Sequence, residues 1–233
     1  MGKNKDKLPT TGETEVRCYQ GQGLDFRSSE GEQGEKIIEG HPAVYGQRTQ
    51  IGNWFYEIIE RGAFDNADMT DVPLLVNHDR GAIPVARSRR NNGNSTMQLS
   101  LDGKGLSMRA VLDTENNEEA KRLYSAISRN DMSGMSFAFR VDGEEWEDLD
   151  SDMPTRRIKA ISKVFEVSAV TWPAYSDTDI HARTGAGALE SAQRALENAR
   201  AKASLEKEEE RETVETEKEL ELYRMKNRIL GGM

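Results

Sequence analysis

The apolar and polar positions divide the chain into three stretches with different rhythms. Residues 1 to 34 are rich in Gly, Gln, Glu, Lys and Ser and carry little apolar periodicity, which predicts a mobile arm. From 35 to 183 the apolar residues come in short runs separated by turn formers, the mark of many short strands. After about Gly187 there is no Pro or Gly up to Leu230, and Ala, Glu, Lys, Arg and Leu dominate. That composition predicts a long charged helix over 184 to 233.

Within the middle stretch the ordered chain is expected to begin near "KIIEGHPAVYGQ", residues 36 to 47. "NWFYEIIERGAF" then gives a strand and a Gly-containing turn, and "VPLLVN" and "IPVARS" are two further strand-like runs. "STMQLSLDGKGLSMRAVL" predicts a hairpin turning at Asp102, Gly103, Lys104 and Gly105. "TENNEEAKRLYSAISRN" predicts the one helix of the region. Thr114 or Asn116 would cap it, Glu118 and Glu119 fill its first turn, and Ala120, Leu123, Tyr124 and Ile127 form its apolar stripe. "MSGMSFAFRV", an acidic loop "DGEEWEDLDSDMP", and the strands "TRRIKAIS" and "VFEVSAVTW" complete the domain. In the tail, Leu189 and Leu196, and Ala192 and Ala199, stand a heptad apart, but the seam fades through the glutamate-rich middle. A coiled coil and a helix solvated on all sides both fit that pattern.

Composition narrows the function. Hydrophobic residues make up 36% and charged residues 31%, so part of the chain is expected to be non-globular. A net charge of -9 argues against a general nucleic-acid binder. The local cluster Arg87-Ser88-Arg89-Arg90 reads as a solvated loop. Cys18 is the single cysteine, which excludes an internal disulfide and leaves no thiolate pair for zinc. No run approaches the ~18 apolar residues of a membrane helix, and no signal-peptide core follows the lysine-rich start. A soluble protein made in a cytoplasm is expected, with no cofactor and no metal.

Candidate chemistry centres on a scarce residue. Of three histidines, His41, His78 and His181, the second follows an apolar strand-like run and is held beside a loop. A histidine there serves either as a structural hydrogen-bonding group or as a base. As a base it needs a hydroxyl to deprotonate and a third group to orient it. In "DMSGMSFAFR", alternation sends Phe137 and Phe139 to one face and Ser136 and Ala138 to the other. The small face, Gly134, Ser136 and Ala138, leaves room either for a substrate backbone or for a closely packed neighbour. Glu166, between Phe165 and Val167, shares a face with Ser168 and must be paired in so apolar a strand. Its partner would be an imidazole, or an arginine from "TRRIKA". Asp79 is a poorer orienter, because as the strand neighbour of His78 it would point the other way.

These blocks carry a resemblance. "VPLLVNHDRGAIPVARS", "MSGMSFAFR" and "FEVSAVTWPAY", in that order, resemble the signature blocks of the tailed-phage prohead (capsid maturation) serine proteases, and "IEGHPAVYGQ" and "IIERGAF" resemble that family's amino-terminal blocks. The likeness spans about residues 36 to 180. The family is in turn similar to the herpesvirus assembly proteases. Carried over by residue, the resemblance implies that His78 is the general base and Ser136 the nucleophile, with Ser133 a near decoy. Glu166 falls where the herpesvirus enzymes carry a second histidine, and would orient His78. The arginine run that follows in those enzymes is replaced here by "AVTWPAY".

The expectation is therefore an α+β protein: a mobile arm over 1–34, a serine protease domain over 35–183, and a helical, coiled-coil-like tail over 184–233. The domain would be a mostly antiparallel β-barrel resembling the herpesvirus-protease fold, with few helices. The resemblance implies an endopeptidase packaged inside the assembling prohead in the host cytoplasm. It would cleave scaffold, or the scaffolding portion of the major capsid protein, and itself. The tail would target the enzyme to scaffold, be removed by self-cleavage, or support self-association; no membrane or direct nucleic-acid partner is expected. The competing reading is a catalytically inactive assembly protein on a protease-like domain.

Overall fold

The computed structural model describes residues 14–19, 25–171 and 185–230. In chain order its strands are β1 (Glu15–Tyr19), β2 (Arg27–Glu30), β3 (Lys36–Val44), β4 (Thr49–Ile51), β5 (Phe55–Ile59), β6 (Asp71–Val76), β7 (Ala86–Arg89), β8 (Met97–Leu101) and β9 (Gly105–Leu112). Helix α1 (Glu118–Ser128) follows, then β10 (Gly134–Glu147), β11 (Thr155–Val170) and helix α2 (Gly185–Leu230). The larger sheet runs β1-β10-β11-β5-β4, with β6 also paired to β11 and β7 to β6; the smaller runs β2-β3-β9-β8. All pairings are antiparallel except those of β11 with β5 and with β6.

The protein is thus α+β and strand-dominated, but the expected barrel is not formed: among the described residues the strands lie in two separate sheets. One apolar cluster joins them. Ile38, Met97, Leu106 and Met108 come from the smaller sheet, Leu74, Phe137, Phe139, Val164 and Val167 from the larger, and Leu123 and Ile127 from α1. Within the smaller sheet, Gly105 on β9 lies close against β3, since a Cβ there would fall 2.0 Å from the Ala43 carbonyl oxygen. Of the α1 stripe, Ala120, Leu123 and Ile127 are buried and Tyr124 is half-buried. Its cap is Asn117, not Thr114 or Asn116: the Asn117 Oδ1 accepts from the backbone N–H groups of Glu119 and Ala120 at 3.0 and 3.1 Å.

Three sequence expectations change. The run read as an acidic loop, 142–154, supplies the outer half of β10, and the two strands expected after it are one continuous β11. Cross-strand ion pairs explain this: Glu144 meets Arg156, Glu145 meets Lys159 and Glu147 meets Arg157, so the acidic run faces a basic one. The basic cluster at 87–90 is largely strand β7, with Arg87 held in a two-pronged pair by Asp71 at 2.6 Å per prong. Finally, the stretch read as an arm contributes β1 and β2.

A buried charge cluster accounts for the order of β1. The Arg17 guanidinium donates to both oxygens of Glu57, at 2.8 and 3.0 Å, and to Glu15 at 2.6 Å. Arg156 bridges the same two carboxylates and adds Glu144. Arg17 is 0% exposed and Arg156 2%. Burial alone would raise the Glu15 carboxyl, but Arg156 and Arg17 outweigh it and hold the group at about 2.

Helix α2 is neither free along its whole length nor coiled with a partner helix among the described residues. Ala192 and Leu196 are buried against Ile51 and Phe55, with Trp54, Trp146 and Leu149 around them. Arg200 then donates to the Leu149 and Ser151 carbonyls, and Lys207 pairs with Asp150 at 2.9 Å. Residues 208–227 of the helix are exposed.

The depressed Glu15 carboxyl sets a pH dependence. Its contribution to stability, roughly 3 kcal/mol, is complete above the ordinary carboxyl range near 4.5 and is lost as the pH falls toward 2. Urea midpoints measured from pH 6 to pH 2.5 should therefore drop more steeply in the wild type than in Glu15→Gln. The variant should start lower at pH 6.

Candidate active site

The site is built on the inner halves of β10 and β11. Ser136 stands directly opposite Ser168, and Ala138 opposite Glu166. The next pair is Phe139 with Val164, so Phe165 is an extra residue on β11, a bulge. Strict alternation would put Val164 and Glu166 on the same face. The bulge separates them: Val164 enters the core with Val167, while Glu166 and Ser168 share the other face with Ser136 and Ala138. Phe137 and Phe139 stack at 4.4 Å on the core side, and the cations of Arg140 and Lys163 cover the bulged Phe165 ring.

The histidine arrives from the other side of β11. Strand β6 runs parallel to β11, with Leu75 opposite Ser168 and Val76 opposite Ala169. Ser136, Ser168 and Leu75 therefore form one row across three strands. β6 ends at Val76, and the chain reverses through Asn77 and His78, both left-handed at φ 50° and 60°. The Asp79 N–H closes the turn on the Val76 carbonyl at 3.1 Å. Two successive left-handed residues define a type I′ turn, which Asn favours and His tolerates. Asn77 is fixed to the end of β11: its N–H donates to the Ala169 carbonyl at 2.9 Å, and its Oδ1 accepts from the Thr171 N–H at 3.0 Å.

This turn folds His78 back over the sheet, where Nδ1 meets Glu166 Oε1 at 2.6 Å. The second oxygen of Glu166 accepts the Ser168 hydroxyl at 2.5 Å. The His78 side chain is 11% exposed and that of Glu166 2%, so the pair is shielded from bulk water. With a carboxylate on Nδ1, the proton of the neutral ring resides there and Nε2 is the basic atom. Ser136 is completely buried, and its hydroxyl donates to the backbone carbonyl of Arg17 at 2.8 Å.

The structure thus joins His78 to Glu166 and sets Ser136 on the same face, with Ser168 on the intervening strand. The arginine alternative for Glu166 is not realised: Arg156 and Arg157 pair with Glu144 and Glu147 among others. Asp79 instead accepts the Gly81 N–H. Ser133 is exposed in the loop before β10. His41 pairs with Asp102 at the β8–β9 turn, and His181 lies outside the described residues. Three participants were missed from the sequence. Ser168 was legible only as a face neighbour, and the Asn77 clamp was signalled by "VNHD" as a turn. The Arg17 carbonyl had no signal at all.

Residues 22–191 match the model of the caudovirus prohead serine protease family, and the chain belongs to that family. In structure it is similar to the bacteriophage T4 capsid assembly protease, gp21, at 13% identity and a TM-score of 0.39, covering 70% of this chain and 100% of that one. No curated protein matches it in sequence.

The left-handed turn is open to test. Asn77→Val places a β-branched residue in a conformation it resists and removes the Thr171 bonds, and should cost about 1–3 kcal/mol. Asn77→Gly takes the same conformation without strain and should cost less. Denaturant midpoints of the two variants against the wild type would show the difference.

Proposed function

We propose that the chain is an active serine endopeptidase of capsid maturation, with Ser136 as nucleophile, His78 as general base and Glu166 as the group that orients His78. The observation that carries this reading is the 2.6 Å contact of His78 Nδ1 with Glu166, on the same sheet face as a buried serine in a prohead protease chain. Glu166 fixes the tautomer that leaves Nε2 basic, and its charge stabilises the imidazolium once His78 has taken the Ser136 proton. Ser168, by holding the far oxygen of Glu166, keeps the carboxylate aimed. Oγ then bonds to the substrate carbonyl carbon, and His78 returns the proton to the leaving amine. Water releases the acyl group by the same two proton transfers in reverse order.

The substrates on this reading are scaffold, or the scaffolding portion of the major capsid protein, and the chain itself. The work would take place inside the assembling prohead in the host cell. The domain division used above, with protease chemistry confined to 35–183 and the tail from 184 serving scaffold targeting or self-association, is part of the same proposal.

The test is co-expression with the capsid protein of the same phage, with products sized by mass spectrometry. Wild type should yield shortened products. Ser136→Ala and His78→Ala should reduce processing by about 10³-fold or more, and Glu166→Gln by about 10²–10⁴-fold. Equal processing by Ser136→Ala would move the nucleophile elsewhere, with Ser133 next to be tested. Full-length wild-type chains throughout would favour an inactive assembly protein.

A further inference from the structure

Strand β1 has a position that packing alone does not require. It is the end strand of the larger sheet, paired antiparallel along β10 with Cys18 directly opposite Ser136. Without it, the edge of β10 from Met135 to Phe139 would present unpaired backbone groups beside the proposed nucleophile. That is the geometry by which an extended peptide adds to a sheet. β1 also precedes the family match, which begins at residue 22, whereas Ser136, His78, Glu166 and Glu57 all lie inside it.

The contacts of β1 are those of a peptide in a binding channel. The Arg17 carbonyl receives the Ser136 hydroxyl at 2.8 Å, so a backbone carbonyl lies against the nucleophile. A serine hydroxyl has one proton. While that proton is donated to a carbonyl oxygen it is not donated to an imidazole, so this contact is a resting arrangement, not an attacking one. The Arg17 side chain is held two-pronged by Glu57 of β5. Were β1 to leave, both Arg17 and Glu15 would go with it. Glu57, 1% exposed, would lose both N–H donors that Arg17 supplies while keeping its bond from Arg156, so the vacated place favours a basic side chain.

We propose that residues 15–19 are a built-in strap occupying the substrate channel, and that the peptide displacing them is extended and presents a basic residue to Glu57, its carbonyl at Ser136. This rests on the proposed role of Ser136 and adds to it a selectivity residue, Glu57, and a self-blocked resting state. Glu57 touches the side chain of the bound segment and takes no part in proton transfer. The strap competes with substrate for one place, so the affinity seen for an outside peptide is reduced by the fraction of time the channel is open.

The test uses the full chain and a fluorescent peptide carrying the sequence of residues 13–20, beside a control peptide with glutamine in place of the arginine. Excess arginine peptide added to wild type should raise amide hydrogen exchange across 15–19 while 134–139 stay protected. Arg17→Glu sets a carboxylate against Glu57 and should bind the arginine peptide at least about tenfold more tightly than wild type. The milder Arg17→Gln should fall between them, and decides the matter if Arg17→Glu does not fold. Adding Glu57→Gln to Arg17→Gln should erase most of the preference for arginine over glutamine. Peptide that binds without raising exchange at 15–19, that binds all variants equally, or that binds none of them overturns the proposal. Neither readout involves bond cleavage. A chain that trades its strap for peptide yet never processes capsid protein would sink the endopeptidase reading alone, and normal processing with an immovable strap would sink this one alone.

Discussion

The pairing of β10 with β11, with its one extra residue at Phe165, is the constraint on which the rest of the molecule depends. It commits Phe137, Phe139, Val164 and Val167 to the core and Ser136, Glu166 and Ser168 to the opposite face. A ladder without the bulge would turn either Val164 or Glu166 the wrong way. The first error would open the core, and the second would bury a carboxylate among phenylalanines. One inserted residue thus couples the stability of the domain to the assembly of its polar face. The parallel partner β6 adds the histidine by stopping at Val76 and reversing through two left-handed residues.

The second organising element is electrostatic. Five charged groups, two arginines and three glutamates, meet where β1, β5, β10 and β11 converge. Removing one member of such a cluster leaves its partners buried and unmatched, which costs far more than the cluster's net contribution to stability. Together with its ladder to β10, this cluster is what orders β1: Arg17 and Glu15 tie the strand to Glu57 and Arg156.

How much of this the sequence disclosed follows from the range over which each signal acts. The α1 stripe, the β8–β9 hairpin and the long terminal helix were legible because their patterns are local and periodic. The blocks that hold His78, Ser136 and Glu166 were legible in their order, and the face Glu166 shares with Ser168 follows from their spacing. The bulge precedes Glu166 and leaves that spacing intact. β1 was invisible, because the groups that order it, Glu57, Glu144 and Arg156, lie 40 or more residues away in the chain. The outer half of β10 was misread for a related reason. Its acidic residues look like a solvated loop until the basic start of β11 is laid beside them. Barrel closure could not be read at all, since no strand announces in its own composition whether its far edge finds a partner.

Helix α2 has a mechanical consequence. It is clamped to the domain by Ala192, Leu196, Arg200 and Lys207, which fixes its direction as well as its root. Residues 208–230 then run on for about 35 Å as one continuous helix. A disordered linker of the same length would let its far end wander in every direction. This one sets a stand-off: whatever grips the far end is kept at a defined distance and bearing from the face that carries Ser136.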